Sequence, residues 1–237
     1  MKVPELLTKL ALAELNNLFI GESNSIDEAK IPKVILAIND GLTRLHTKFV
    51  LKEKNLILEM RDGMTFYHFK KKFAWSNYDR DNPPEMWNMP YIMDMNREPF
   101  EEDVIKVLAV YNYDGTKLPL NDAESPTSVF TPQAEMLQVS KVTPSRMLSV
   151  EYQAKPIKIP DSDYEEVEVD LPDFLVTALR YFVGSELYSQ MNTQENIAKG
   201  QEYLGKFEIS CQEAIDMDLV STSTSTTNTR FEKRGWV

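Results

Sequence analysis

The spacing of apolar residues changes period twice along this 237-residue chain, and no single-class fold accommodates both changes. Val3, Leu6, Leu7, Leu10 and Ala13, with a second stripe at Leu12, Leu15 and Phe19, recur at three- and four-residue steps, with Pro4 in a first turn and Gly21 as a stop. Behind Pro32, the residues Ile31, Val34, Ile35, Ile38, Leu42, Leu45 and Phe49 repeat that step. Extended runs rich in β-branched and aromatic residues follow at 56–60, 64–69, 104–111, 117–120, 136–142 and 147–152, with Asp62-Gly63 and Asp114-Gly115 read as hairpin turns. The helical step then returns at Leu175, Ala178, Leu179, Phe182, Val183, Leu187 and Met191 behind Pro172. A last helix carries Ile197, Leu204, Phe207, Cys211, Ala214, Ile215 and Leu219 behind Thr193 as N-cap. The expected fold is α+β: a helical bundle of two αα-hairpins, residues 1–50 and 171–219, with an antiparallel β insert at 51–170 and an extended C-terminal tail at 220–237.

Two segments fit neither period. Residues 73–99 hold four prolines among Trp75, Tyr78, Trp87, Tyr91 and Met93, too apolar for a flexible linker and of the composition enriched at protein interfaces. Such a loop either packs on its own core or serves as a protein interface; both readings stay open. The Ser/Thr run at 221–229 has nothing to bury. It ends in Arg230, Phe231, Lys233, Arg234 and Trp236, the residue types favoured at binding hot spots, so the tail reads as an anchor on a tether reaching roughly 55 Å at ~3.3 Å per residue.

Charge and residue stock narrow the function classes. Twenty-six Lys and Arg against 37 Asp and Glu leave a net charge of −11, the wrong sign for a protein that coats nucleic acid. One cysteine and two histidines supply neither a disulfide nor a Cys/His zinc site, and no apolar stretch approaches the ~20 residues of a membrane span. No signal peptide is read at the N-terminus.

The chemical motifs are thin. Residues 200–206 space two glycines and a lysine like a phosphate loop, but Phe207 stands where a Ser or Thr must hold magnesium, and the segment falls inside a helical pattern. The carboxylates of the run 161–170 lack the glycine of an EF-hand, Glu166 taking its place, and read as a solvated connector. They leave one enzymatic alternative, a small acidic metal-dependent hydrolase. His46 and His68 have no evident nucleophile beside them, and Cys211 lies on an apolar helical face. Lys70-Lys71-Lys72 between Phe69 and Phe73 is the one basic-aromatic cluster, read as a solvated hairpin end or a contact for nucleic acid or an acidic partner. No catalytic, cofactor or metal residue is assigned.

The order helix, helix, β insert, helix, helix, polar tail resembles the head-to-tail adaptor (head-completion or connector) proteins of tailed bacteriophages. Carrying the resemblance are Leu36-Ala37-Ile38-Asn39-Asp40-Gly41-Leu42 in the second helix, the Asp62-Gly63 turn, and the strand Asp103-Val104-Ile105-Lys106-Val107. Leu148-Ser149-Val150-Glu151-Tyr152 with Pro156, and Leu171-Pro172-Asp173-Phe174 opening Ala178-Leu179-Arg180-Tyr181, extend it, with Asn192, Ala198, Tyr203 and Phe207 following at fitting distances. The aromatic loop and the acidic run depart from the family's usual pattern. The resemblance implies a ring, commonly of twelve copies, at the head-tail junction of a virion assembled in the host cytoplasm. It further implies contact with a portal protein through the C-terminal tail, contact with tail or nozzle proteins below, and passage of double-stranded DNA without specific binding. A tail-tube or nozzle component is the alternative within the same class.

Overall fold

The computed structural model describes residues 1–18, 25–79, 81, 84–85, 89–140, 146–191 and 193–220. The chain is an α+β protein whose described residues divide into a helical unit, Met1–Leu51 together with residues 156–220, and a β unit, residues 52–155. Each has its own hydrophobic core.

In the helical unit, α1 (Val3–Leu12) starts with proline in its first turn and closes on a Glu5–Lys9 pair of 2.8 Å. It is shorter than the expected helix through Phe19, because Ala13 leaves helical geometry (φ −123°, ψ −86°) and Glu14 turns inward to the Arg180 guanidinium. α2 (Ile31–Lys48) buries Val34, Ile35, Ile38, Leu42 and Leu45, the stripe that the sequence carries. α3 (Val176–Ser189) is buried around nearly its whole circumference. α4 (Gln194–Asp216) is capped by the Thr193 hydroxyl, which accepts from the Asn196 N–H at 3.3 Å.

The closely packed helix pairs are α3 with α4 and α2 with α3. α3 and α4 run antiparallel, with Ser189 against Gly200 and the Phe182 and Phe207 rings meeting edge to face at 5.4 Å. A Cβ on Gly41 would fall 2.6 Å from Leu179 and 2.9 Å from Phe182, so the glycine sets the approach of α2 to α3. The first expected hairpin, α1 on α2, is not among the close pairs. Instead α1 is tied to the acidic segment by the Val3 N–H on the Val167 carbonyl (3.0 Å) and the Val169 N–H on the Met1 carbonyl (2.9 Å).

That segment also moves the expected domain boundary. Residues 156–170, read as part of the β insert, pack on the helical core through Ile159 and Val169. The Asn39 carboxamide donates to the Ile159 carbonyl and accepts from its N–H, both at 2.9 Å, and His46 Nε2 lies 2.8 Å from the Asp170 carbonyl. Two polar side chains on α2 thus hold an extended segment whose composition reads only as a connector.

The β unit contains two antiparallel sheets rather than the single sheet expected. β1 (Glu53–Glu59), β3 (Ile92–Met93), β4 (Val104–Tyr111), β5 (Lys117–Leu118) and β8 (Met147–Ala154) form a sheet in the order β3-β1-β8-β4-β5. β2 (Phe66–His68), β6 (Val129–Gln133) and β7 (Met136–Val139) form the second, in the order β2-β7-β6. The Asp114-Gly115 turn joins β4 to β5 as a hairpin. The Asp62-Gly63 turn forms too, with Gly63 at φ +71°, yet it joins strands of different sheets. β1 pairs with β8 through seven consecutive residues, from Glu53↔Gln153 to Glu59↔Met147, and that long-range ladder prevails over the local turn signal. Residues from both sheets, among them Leu58, Tyr67, Tyr91, Leu137 and Val150, fill one core.

Candidate interaction site

Both ends of the aromatic loop 73–99 are fastened to the β core. Tyr91 is fully buried, its ring stacked on Phe73 at 4.7 Å and edge-on to Tyr67 at 5.2 Å. Its hydroxyl donates to the His68 carbonyl and accepts from the His68 N–H, both at 2.8 Å, and burial holds its pKa far above the usual tyrosine range. The Arg61 guanidinium donates to the carbonyls of Met89 (3.1 Å) and Pro90, while the Arg61 N–H bonds the Tyr67 hydroxyl at 2.9 Å. Tyr91 is therefore a core residue and cannot serve the interface expected of it.

Asp94 ends β3. One of its oxygens accepts from the Ser76 N–H at 2.8 Å; the other accepts from the Ser76 hydroxyl and, at 2.8 Å, from the Phe100 N–H. Partial burial pushes this carboxyl up, and the hydrogen bonds from Ser76 and Phe100 more than offset it, leaving it below the usual carboxylate range. The chain then turns tightly, with the Glu98 N–H on the Met95 carbonyl at 2.9 Å. Beside this turn an open groove of about 670 Å³ runs past Asn55, Leu56, Ile57, Met93, Met95 and Phe100. Ile57 and Met93 are register partners on neighbouring strands, 42% and 39% exposed, and Met95 is 72% exposed. Trp75 and Tyr78, both half-buried, tilt against one another at 5.3 Å, and the Trp75 indole N–H finds no acceptor among the described residues.

Of the five loop residues singled out in the sequence, Met93 lines the groove, Trp75 and Tyr78 form a separate half-exposed pair, Tyr91 is core, and Trp87 lies outside the described residues. Arg230, Phe231, Lys233, Arg234 and Trp236 also lie outside them. Asp94, Arg61 and Ile57 were not anticipated. Only the strand pairing brings Ile57 beside Met93, and the partners of Asp94 lie up to 18 residues away in sequence.

The basic cluster is occupied from within. The Lys70 ammonium bonds Glu102 at 2.8 Å and also Glu135, Lys71 bonds Glu101 at 2.7 Å, and Lys72 lies 4.6 Å from the centre of the Phe73 ring. Hydrogen bonds to these carboxylates raise the pKa of Lys70 and Lys71.

The helical unit presents a second surface. α4 spans about 35 Å at ~1.5 Å per residue, and its expected apolar stripe is split lengthwise. Phe207, Cys211 and Ala214 are buried, and burial raises the Cys211 thiol pKa. Ile197, Leu204, Ile215 and Leu219, from the same stripe, are 42–48% exposed. Among the described residues there is no group of three His, Cys, Asp or Glu side chains arranged to hold a metal, and no helix is long and apolar enough to cross a membrane. No protein-family model matches the chain, and no curated protein matches it.

Proposed function

We propose that the chain is a non-enzymatic structural subunit, a head-to-tail adaptor of a tailed bacteriophage, whose copies close into a ring beneath a portal protein. The observation that carries this reading is the split stripe of α4. The helical unit buries the apolar stripe of α2 and most of α3, yet leaves an apolar ridge along its longest helix, the kind of surface that a neighbouring copy covers in an assembly. A head-to-tail contact of this kind generates a ring when the rotation closes. The order of elements supports the same reading, since the β unit interrupts a helical unit built from both ends of the chain.

In such a ring the net charge of −11 serves transit of DNA, because a duplex binds where cations displace its counterions, and a negative lumen offers few. Tails 220–237 docking side by side into a portal gain affinity from their number, each bound tail raising the local concentration of the next.

Electron microscopy and native mass spectrometry of the full chain, alone and with the portal protein of the same virus, test the assignment. Closed rings of about twelve subunits that bind portal through residues 221–237 are expected. A chain that stays monomeric at every concentration, or that binds portal equally well without residues 221–237, contradicts it.

A further inference from the structure

A ring needs each copy to carry two different surfaces that fit one another. The five-stranded sheet of the β unit has such a pair at its two edges. β1 pairs with β8 along its seven residues, but β3 covers only Ile57 and Leu58 on the other side. β4 is eight residues long, and on the side away from β8 only Val110 and Tyr111 are covered, by β5. The two short strands stand at one level, because Ser149 of β8 is the register partner of both Ile57 and Tyr111. The two open halves share a level as well, since Gln153 is the partner of both Glu53 and Lys106.

Backbone groups face both gaps. The Met60 N–H bonds toward β8, to Arg146, whereas the Glu59 N–H bonds toward β3, to Tyr91, so the N–H and C=O of Glu53 and Asn55 point outward. The backbone of 104–108 makes no hydrogen bond beyond its ladder with β8 among the described residues. After Leu118 the chain leaves for the three-stranded sheet, with the Pro119 carbonyl and the Asn121 N–H on Val129 at 2.9 and 2.8 Å, and takes Asp122 and Glu124 with it. Each gap is wide enough for the short strand of the other edge when two sheets meet with a stagger of about four residues, ~13 Å at ~3.3 Å per residue. Sheets that close on themselves are staggered in this way. Both register shifts of β4 fall before Val110, and bulges there blunt the edge against unlimited growth while adding twist.

The charges of the two edges are opposed. Beside the β1 gap, Glu53, Arg97 and Glu98 are exposed and without an ion pair among the described residues, two anions against one cation, while Lys54 is engaged by Asp103 at 2.6 Å. Glu53 has only another carboxylate, Glu151, as its hydrogen-bonded neighbour. On the opposite edge Lys106 and Lys117 are exposed and unpaired among the described residues, and the Asp114 carboxylate at the hairpin tip accepts from the Thr116 N–H at 2.9 Å. Lys117, Tyr111, Ser149 and Ile57 are register partners in line and share a face of the sheet; Glu53, an even number of residues from Ile57, shares it too.

We propose that in the ring the five-stranded sheets of neighbouring copies join edge to edge with this stagger: β5 of one copy fills the gap beside β1 of the next, with Lys117 meeting Glu53, and β3 of that next copy fills the gap beside β4 of the first. The inference rests on the ring reading and adds to the α4 ridge a second subunit contact, in the β unit.

Disulfide trapping in the assembled full chain tests it, with the native Cys211 buried and out of reach. On oxidation the variant Glu53→Cys/Lys117→Cys is expected to give a ladder of covalent oligomers on a denaturing gel, because residues on adjacent strands lie within disulfide reach. Glu53→Cys alone, Lys117→Cys alone, and Glu53→Cys/Lys106→Cys, the pair that would meet without a stagger, should give none. Rings seen by electron microscopy with no ladder from the first pair overturn this inference and leave the ring reading standing; a chain that forms no rings overturns both. A covalent dimer from Glu53→Cys alone would assign the edge to a two-fold pairing of β1, and a ladder from Glu53→Cys/Lys106→Cys would remove the stagger; either overturns the inference. If the cysteine pair does not fold, charge exchange reads the same contact. Lys117→Glu should weaken ring assembly at least tenfold and Glu53→Lys/Lys117→Glu should restore it; assembly indifferent to Lys117→Glu, or not restored by the exchange, overturns the inference.

Discussion

α2 and α4 carry apolar stripes that look alike in sequence and meet opposite fates. The α2 stripe is consumed by its own unit, with Val34, Ile35, Ile38, Leu42 and Leu45 all at zero exposure. The α4 stripe faces its own unit along one half only, and Ile197, Leu204, Ile215 and Leu219 remain in solvent. A periodic pattern records that a face is apolar; it does not record what covers it. The largest test of the contrast is truncation on each helix. Ile38→Ala should cost about 3 kcal/mol of unfolding free energy by urea titration, since it opens a void in a closed core. Ile197→Ala should cost under about 1 kcal/mol, since half of that side chain is already wet. Equal losses at the two sites would mean that the ridge is buried in the solution monomer.

Local signals explain what was legible. Thr193 as N-cap and the Asp114-Gly115 hairpin depend on residues a few positions apart, and both form. The α+β class and the helical faces follow from period alone. What the sequence withheld depends on distant partners: Asp62-Gly63 turns the chain, but the β1–β8 ladder decides where its strands go. β6 went unread because Pro132 interrupts it; the strand is an edge of the three-stranded sheet, where a missing N–H is tolerated. Among the interface candidates, Tyr91 and Met93 are two residues apart, one sealed in the core and one in the groove. Strand alternation would put them on one face; what separates them is the packing of Phe73 and Tyr67 on Tyr91, which depends on partners distant in sequence.

Two glycines sharpen the helix comparison. On α2, Gly41→Ala places a methyl 2.6 Å from Leu179 and 2.9 Å from Phe182, and forcing α2 from α3 should cost about 1 to 3 kcal/mol. On α4, a Cβ at Gly205 meets nothing within 4 Å, so Gly205→Ala should gain up to about 1 kcal/mol from helix propensity. Denaturation midpoints moving in opposite directions are the expected result. If Gly205→Ala instead impairs self-association, Gly205 belongs to the surface that a neighbouring copy covers.

The ridge itself is tested by making it polar. Leu204→Gln with Ile215→Gln should leave monomer stability within about 1 kcal/mol of the parent and weaken self-association at least tenfold in analytical ultracentrifugation, equivalent to about 1.4 kcal/mol. Unchanged association would remove α4 as the subunit contact while leaving the fold as described.

The β unit repeats the contrast on a single strand, paired along all of β1 on one side and along two residues on the other, and the smallest effect lies there. Partial burial, then the charge and hydrogen bond of Glu151, raise the Glu53 carboxyl above its ordinary 4.5. A carboxyl raised in the folded state binds its proton more tightly there than in the unfolded chain, so folding is favoured at low pH and this contribution is lost as pH rises through the folded-state value. Glu53→Gln removes the charge that the fold resists. The variant should melt slightly above the parent at pH 7.5, by an effect on the order of a few tenths of a kcal/mol after solvent screening, and the difference should vanish near pH 4. A difference independent of pH would show that the carboxylate is already matched by a cation in the folded chain.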